Sequence, residues 1–180
     1  MTDEIGLKIC ATHEPGEQII NSPEEVIKKL DIFDCKYTAF PHPGKYSVET
    51  KEDVLKLTEQ LNQSGEILKN AGKVLTYHNH DIEFVRHGDK NTLELIYENS
   101  DSENLQGEID TYWVQKGGGD PVFWCEKLDE RLPLLHLKDY IVTKKREVIF
   151  GEIGYGNLNW ERIINAAEKS GCKWFIVEQD

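Results

Sequence analysis

Short apolar runs alternate along the chain with longer segments in which apolar residues return every three or four positions. Leu7–Thr12, Lys36–Phe40, Lys73–His78, Gln106–Thr111, Leu134–Leu137 and Lys173–Val177 read as strands. The segments between them read as helices. Pro23–Leu30 has Ser22 as its cap and Pro23 in first position. Glu49–Ala71 places Val54, Leu57, Leu61, Ile67 and Leu68 on one face and stops at Gly72, a left-handed cap. Thr92–Asn99, Pro121–Leu128 and Trp160–Ser170, the last ended by Gly171, complete the set. A hairpin is expected in the loop after Leu137.

Six strands alternating with helices call for a parallel sheet, because consecutive parallel strands need a covering element between them. An open doubly wound sheet and a barrel both satisfy that rule. No GxGxxG or GxxxxGK follows a strand, which removes support for the nucleotide-binding open sheets. Gly117-Gly118-Gly119 leads into Asp120-Pro121 and reads as a loop and helix start.

Composition narrows the partners. The chain has 180 residues and a formal charge of -12, a balance suited to one globular domain spanning residues 1–180 and poorly suited to a polyanion such as nucleic acid. No apolar stretch reaches the ~18 residues of a spanning helix, and Met1-Thr2-Asp3-Glu4 lacks the basic and apolar regions of a signal peptide. No membrane partner and a cytoplasmic location are therefore expected. Cys10, Cys35, Cys125 and Cys172 are scattered without CxxC spacing and read as buried free thiols.

The chemistry collects at strand ends. Ile109-Asp110, Leu135-His136 and Val177-Glu178 each close an apolar run with a metal-capable side chain, and strand ends converge in a parallel α/β protein. Asp110, His136 and Glu178 offer hard oxygen and imidazole donors, suited to Mn²⁺, Mg²⁺, Co²⁺ or Zn²⁺. Each alone is equally well an ordinary charged strand terminus; their repetition carries the reading. If the strand at Thr76 continues with period two, Thr76, His78 and His80 point to one side and Tyr77 and Asn79 to the other. The alternative for such a pair is that one is a core histidine and the other a loop residue. Lys138, two residues after His136, projects to the same side and can hold a substrate oxygen or phosphate, whereas Asp139 turns away to orient a neighbour.

Taken together, Tyr77-His78-Asn79-His80-Asp81-Ile82-Glu83-Phe84, Ile109–Val114, Gly118-Gly119-Asp120-Pro121, His136-Leu137-Lys138-Asp139, Gly154–Trp160 and Val177-Glu178-Gln179-Asp180 resemble the sugar phosphate isomerase/epimerase family, the xylose-isomerase-like TIM barrels. Inosose dehydratase and the ketose 3-epimerases are relatives of this kind. The resemblance covers most of the chain from Leu7 onward. It implies a parallel (β/α) TIM-type barrel whose divalent metal is held by Glu, Asp, His and Glu at four strand ends. Asp110, His136 and Glu178 match the last three. Many relatives carry Glu-Asn-His at the first position, where this chain has His78-Asn79-His80, so His78 replaces the carboxylate, with His80 and Glu83 as rival ligands. Against the family's length, about six of eight strands are expected here, without the N-terminal strands and the C-terminal helix. Unpaired edges of that kind make a homo-oligomer a candidate assembly.

The resemblance further implies a metal-dependent isomerase or epimerase of a sugar, sugar phosphate or keto-sugar, acting through an enediolate. A dehydratase acting on a cyclitol and an inactive sugar-binding fragment are the alternatives. Glu178 is the expected proton acceptor, His80 or Glu83 the residue that returns the proton, and Lys138 the stabiliser of the developing oxyanion. Trp113, with Tyr112 and Trp124, can stack on the sugar or equally serve as core and wall aromatics, and Glu152 can contact the sugar from the last long loop or equally be a solvated loop charge. An endonuclease-like reading needs a larger zinc cluster and a basic surface, neither visible in the sequence.

Overall fold

The computed structural model describes residues 5–179; Met1–Glu4 and Asp180, the last residue of the Val177–Asp180 motif, lie outside the described residues. The described residues divide into two compact units, residues 5–78 with 86–106, and residues 79–85 with 107–179.

The first unit opens with β1 (Ala11–His13), α1 (Gly16–Asn21), α2 (Pro23–Ile32) and β2 (Tyr37–Phe40). β1 lies later than the Leu7–Thr12 run predicts, because only Ala11, Thr12 and His13 find parallel partners on β2, and Leu7 is exposed. The helix α1 was not foreseen. Pro15 precedes it, its one buried residue is Ile19, and Gly16 sits so close to the Phe40 ring that a Cβ there would approach to 2.5 Å. Ser22 occupies the N-cap of α2, but its side chain makes no capping hydrogen bond; Pro23, whose missing N–H is no loss at a helix start, holds the first turn.

α3 (Lys51–Asn70) starts at a reciprocal cap: Thr50 Oγ1 accepts the Asp53 N–H at 3.1 Å, and Asp53 accepts the Thr50 N–H at 3.3 Å. Val54, Leu57, Leu61 and Leu68 are buried as the periodicity requires, whereas Ile67 faces outward. Gly72, at φ +75°, ends the helix in the left-handed conformation, and the Lys73 N–H reaches back to the Leu68 carbonyl. β3 (Val74–His78) then pairs in parallel with β2. A small antiparallel hairpin, β4 (Arg86–His87) with β5 (Lys90–Asn91), leads into α4 (Thr92–Glu98), capped reciprocally by Asn91 and Glu94.

The second unit takes most of β6 (Leu105–Asp110), then α5 (Thr111–Lys116), α6 (Pro121–Lys127), β7 (Leu134–Leu137), the antiparallel pair β8 (Asp139–Val142) and β9 (Val148–Gly151), α7 (Trp160–Lys169) and β10 (Trp174–Val177). The expected hairpin after Leu137 is thus present. The parallel strands follow chain order in each unit, β1-β2-β3 and β6-β7-β10. Among the described residues there are six parallel strands where a closed TIM barrel has eight.

Phe84 explains the three glycines. A Cβ on Gly117 would lie 2.3 Å from the Phe84 ring and one on Gly119 2.7 Å from it, while Gly118 adopts φ +85°. The run is therefore a close-packing corner before α6, whose first turn is capped by Asp120 accepting the Val122 N–H at 2.9 Å. Cys35 and Cys125 are buried thiols; Cys10 and Cys172 are only half-buried. No helix among the described residues is long and apolar enough to cross a membrane.

Candidate metal centre

Register brings the donors of the second unit together. In the parallel ladder Asp110 stands opposite His136 and Val177 opposite Leu137, so Glu178 leaves β10 one residue beyond the pairing, with its N–H on the Leu137 carbonyl at 3.0 Å. Asp110, His136 and Glu178 each present a ligand atom, and these atoms lie within 4.8 Å of one another.

The His136 ring is gripped on both sides. Nδ1 lies 2.6 Å from Glu178 Oε2, and Nε2 lies 3.1 Å from Glu108 Oε1. Burial pulls the imidazole toward the neutral form, but the two carboxylates outweigh it and push its pKa up to about 9. Glu178 is bound from two directions, since Lys138 Nζ donates to its Oε1 at 2.8 Å. The hydrogen bond from His136, helped by Lys138 and opposed by burial, holds this carboxyl well below the usual carboxylate range. Lys138 is itself buried, with its ammonium 4.7 Å from the centre of the Phe150 ring and 5.4 Å from that of Trp113.

Asp110 has a double role. Its Oδ1 caps α5 by accepting the Trp113 N–H at 2.9 Å, and its backbone N–H donates to the Asn79 carboxamide oxygen at 3.1 Å. Its Oδ2 is buried without a hydrogen-bond partner. Burial, opposed by the Trp113 N–H, pushes the carboxyl up to about 7. A buried, unsatisfied carboxylate oxygen beside a second carboxylate and an imidazole is the donor set that a hard or borderline divalent cation satisfies. Asp110, His136 and Glu178 would hold such an ion. Glu108 would then keep the Nε2–H side of His136 fixed, as the outer partners of metal-bound histidines do.

The other predicted residues are distributed as follows. His78 ends β3 in the first unit, buried, with its ring centre 4.9 Å from that of His13. The strand stops there, so period two does not extend to His80. The carboxylate of Glu83 instead accepts the His80 N–H at 2.7 Å and closes the turn, while the His80 ring lies 5.1 Å from that of Trp113. Neither His80 nor Glu83 joins the ligand group that Asp110, His136 and Glu178 form. Trp113 is half-buried, with Lys116 Nζ 4.4 Å over its ring. Trp124 is a core residue against Phe84 and Phe123, and Tyr112 is buried among Trp113, Tyr140 and Phe150. Glu152 is exposed in the turn after β9.

Sequence reasoning missed Glu108 and Asn79. Glu108 was within reach, since it stands two residues before Asp110 on a strand and so shares its face. For Asn79 the only signal was its place beside His78.

Comparison with known proteins gives this arrangement its context. The family model described as the xylose isomerase-like TIM barrel matches residues 6–180. An inosose dehydratase of Geobacillus thermodenitrificans is 25% identical over 194 aligned positions, which take in 98% of this chain and 59% of that protein. A solved sugar phosphate isomerase/epimerase from Parabacteroides distasonis superposes with a TM-score of 0.79 at 30% identity, over 99% of this chain and 65% of its own. A second one from the same organism shares the fold with a TM-score of 0.83 at 22% identity, over 99% and 71%. The chain thus spans less than two thirds of the dehydratase and of the first of these structures. With a family match over almost its whole length and strand-end donors in register, the chain belongs to the xylose isomerase-like TIM barrels.

Proposed function

We propose that this chain carries the metal centre of a sugar isomerase or epimerase, with Asp110, His136, Glu178 and His78 as ligands of one divalent cation, Mn²⁺, Mg²⁺, Co²⁺ or Zn²⁺. The observation that carries the reading is the convergence of three ligand atoms within 4.8 Å around a buried carboxylate oxygen that nothing else satisfies. His78 is the fourth ligand by its place at the end of β3 and by the family's ligand at that position.

Bound there, the cation would polarise a substrate carbonyl and acidify the neighbouring C–H. The residues supply the rest. Glu178 takes the proton from carbon. Lys138, buried and donating to Glu178, stabilises the oxyanion of the enediolate. His80 returns the proton, Trp113 stacks on the apolar face of the sugar, and Glu83 acts by holding the His80 turn. Glu152, on its exposed turn, approaches the outer end of the substrate.

Dehydration of a keto-sugar or cyclitol is a second reading, favoured by the likeness to an inosose dehydratase and by His78 standing where an epimerase needs a second glutamate. Solvent-deuterium incorporation into a panel of keto-sugars and inososes by the Mn²⁺-loaded protein tests both. Exchange without loss of water supports isomerisation or epimerisation; release of water supports the lyase. Absence of both, with no bound metal, leaves a sugar-binding fragment. Glu178→Gln is expected to abolish exchange with the fold intact, and retained exchange would remove Glu178 as the base.

A further inference from the structure

Lys138 and Asp139 are consecutive, yet their side chains serve different partners. Lys138 reaches Glu178, whereas the Asp139 carboxylate, fully buried, collects five N–H donors. Oδ1 accepts from the backbone of Tyr140 at 2.8 Å and of Leu158 at 3.2 Å. Oδ2 accepts from the backbone of Gly154 at 3.2 Å and Gly156 at 3.1 Å and from Trp160 Nε1 at 2.6 Å. The approach is so close that a Cβ on Gly156 would lie 2.2 Å from Oδ1.

Three of those donors belong to the segment that returns from β9 to α7, and a fourth, Trp160, opens α7. Asp139 also begins β8 and stands opposite Gly151, and the next pair in register is Tyr140 with Phe150. One carboxylate therefore ties down both the base of the β8–β9 hairpin and the chain that follows it. Phe150 lies on that hairpin, with its ring centre 4.7 Å from Lys138 Nζ and 5.0 Å from that of Tyr112.

We propose that Asp139 is a positioning residue, a latch that fixes residues 154–160 and thereby holds Phe150 of the hairpin against Lys138, keeping water from the lysine side of the Lys138–Glu178 pair. Why that pair matters rests on the function proposed above. The latch itself requires neither metal nor substrate to test.

The test is acetylation of Lys138 by a water-soluble amine reagent, followed by peptide mass analysis, together with amide hydrogen exchange over residues 148–158. In Asp139→Asn, one side of the group becomes an NH₂ facing N–H donors, and both rates are expected to rise about ten-fold or more over the parent. Trp160→Phe removes one donor of the five and is expected to shift both rates in the same direction by a smaller factor. Phe150→Ala should expose Lys138 while leaving exchange at 154–158 unchanged, which separates the wall from its latch. A folded Asp139→Asn protein with both rates within about two-fold of the parent overturns the proposal. Should that variant not fold, unchanged rates in Trp160→Phe overturn it. Mn²⁺ titration keeps the two ideas apart: a parent that binds no Mn²⁺ defeats the metal reading and leaves the labelling result standing.

Discussion

His136 Nδ1 lies 2.6 Å from Glu178 Oε2, while its other ring nitrogen faces Glu108, so in the metal-free protein the imidazole donates on both sides and carries a proton at neutral pH. A cation can bind Nδ1 only after that proton leaves. Calorimetric titration with Mn²⁺ near pH 7.5, repeated in buffers of different ionisation enthalpy, is expected to show release of about one proton per ion. Binding without proton release would take His136 out of the ligand set.

The same groups set the pH dependence of the metal-free fold. His136 titrates at about 9 in the folded chain against its ordinary 6.5, so its contribution is complete below pH 6.5 and is lost as pH rises toward 9. Asp110 titrates at about 7 against 3.8, so folding takes up a proton between those values and stability again falls with rising pH. Glu178, shifted downward, acts only below its ordinary value of 4.5 and does not oppose the trend above it. The melting temperature of the metal-free protein is expected to fall by roughly 5 °C or more between pH 5 and 9. Mn²⁺ should flatten that slope by replacing the protons.

Asp110→Asn separates ligation from folding. The carboxamide oxygen can still accept the Trp113 N–H and cap α5, but the charge that a cation needs is gone. Metal affinity is expected to drop about 100-fold or more, a loss of ~3 kcal/mol, while the metal-free protein melts no lower than the parent above pH 7. Equilibrium dialysis and a thermal melt check the two halves.

Gly117→Ala and Gly118→Ala test the glycine corner. The first brings a Cβ within 2.3 Å of the Phe84 ring and 2.9 Å of the Phe84 Cβ, a clash that shifts backbone and costs about 1–3 kcal/mol. The second meets open space and costs ~1 kcal/mol through its positive φ. Denaturant melts should rank them in that order.

Cys125 is buried, and desolvation pushes its thiol up to about 12. Iodoacetamide at pH 8 is therefore expected to leave Cys125 unmodified in the native protein and to label it once the chain is unfolded, as read by peptide mass analysis.

Much of this was legible in the sequence because five of the six parallel strands are short apolar runs whose core pattern survives packing. β1 is the exception, since partners on β2 rather than the Leu7–Ile9 run decide where it lies. α5 was hidden because Thr111, Tyr112 and Val114 have strand-type side chains. Its start is set by Asp110 turning back to cap Trp113, a role that an acid at the end of an apolar run does not reveal. The end of β3 at His78 has no local sequence signal, and the partner of the His80 N–H, Glu83, lies three residues on. The alternation after His136 is enough to turn Asp139 away from the site as an orienting residue, but its reach to Trp160 depends on how β8, β9 and α7 pack and has no local signature.

The most direct test is a crystal of the full chain grown with Mn²⁺ and measured for anomalous scattering. A single strong peak is expected within about 2.0–2.4 Å of Asp110, His136 and Glu178. A fully loaded crystal in which these side chains keep their mutual hydrogen bonds and the manganese lies elsewhere would contradict it.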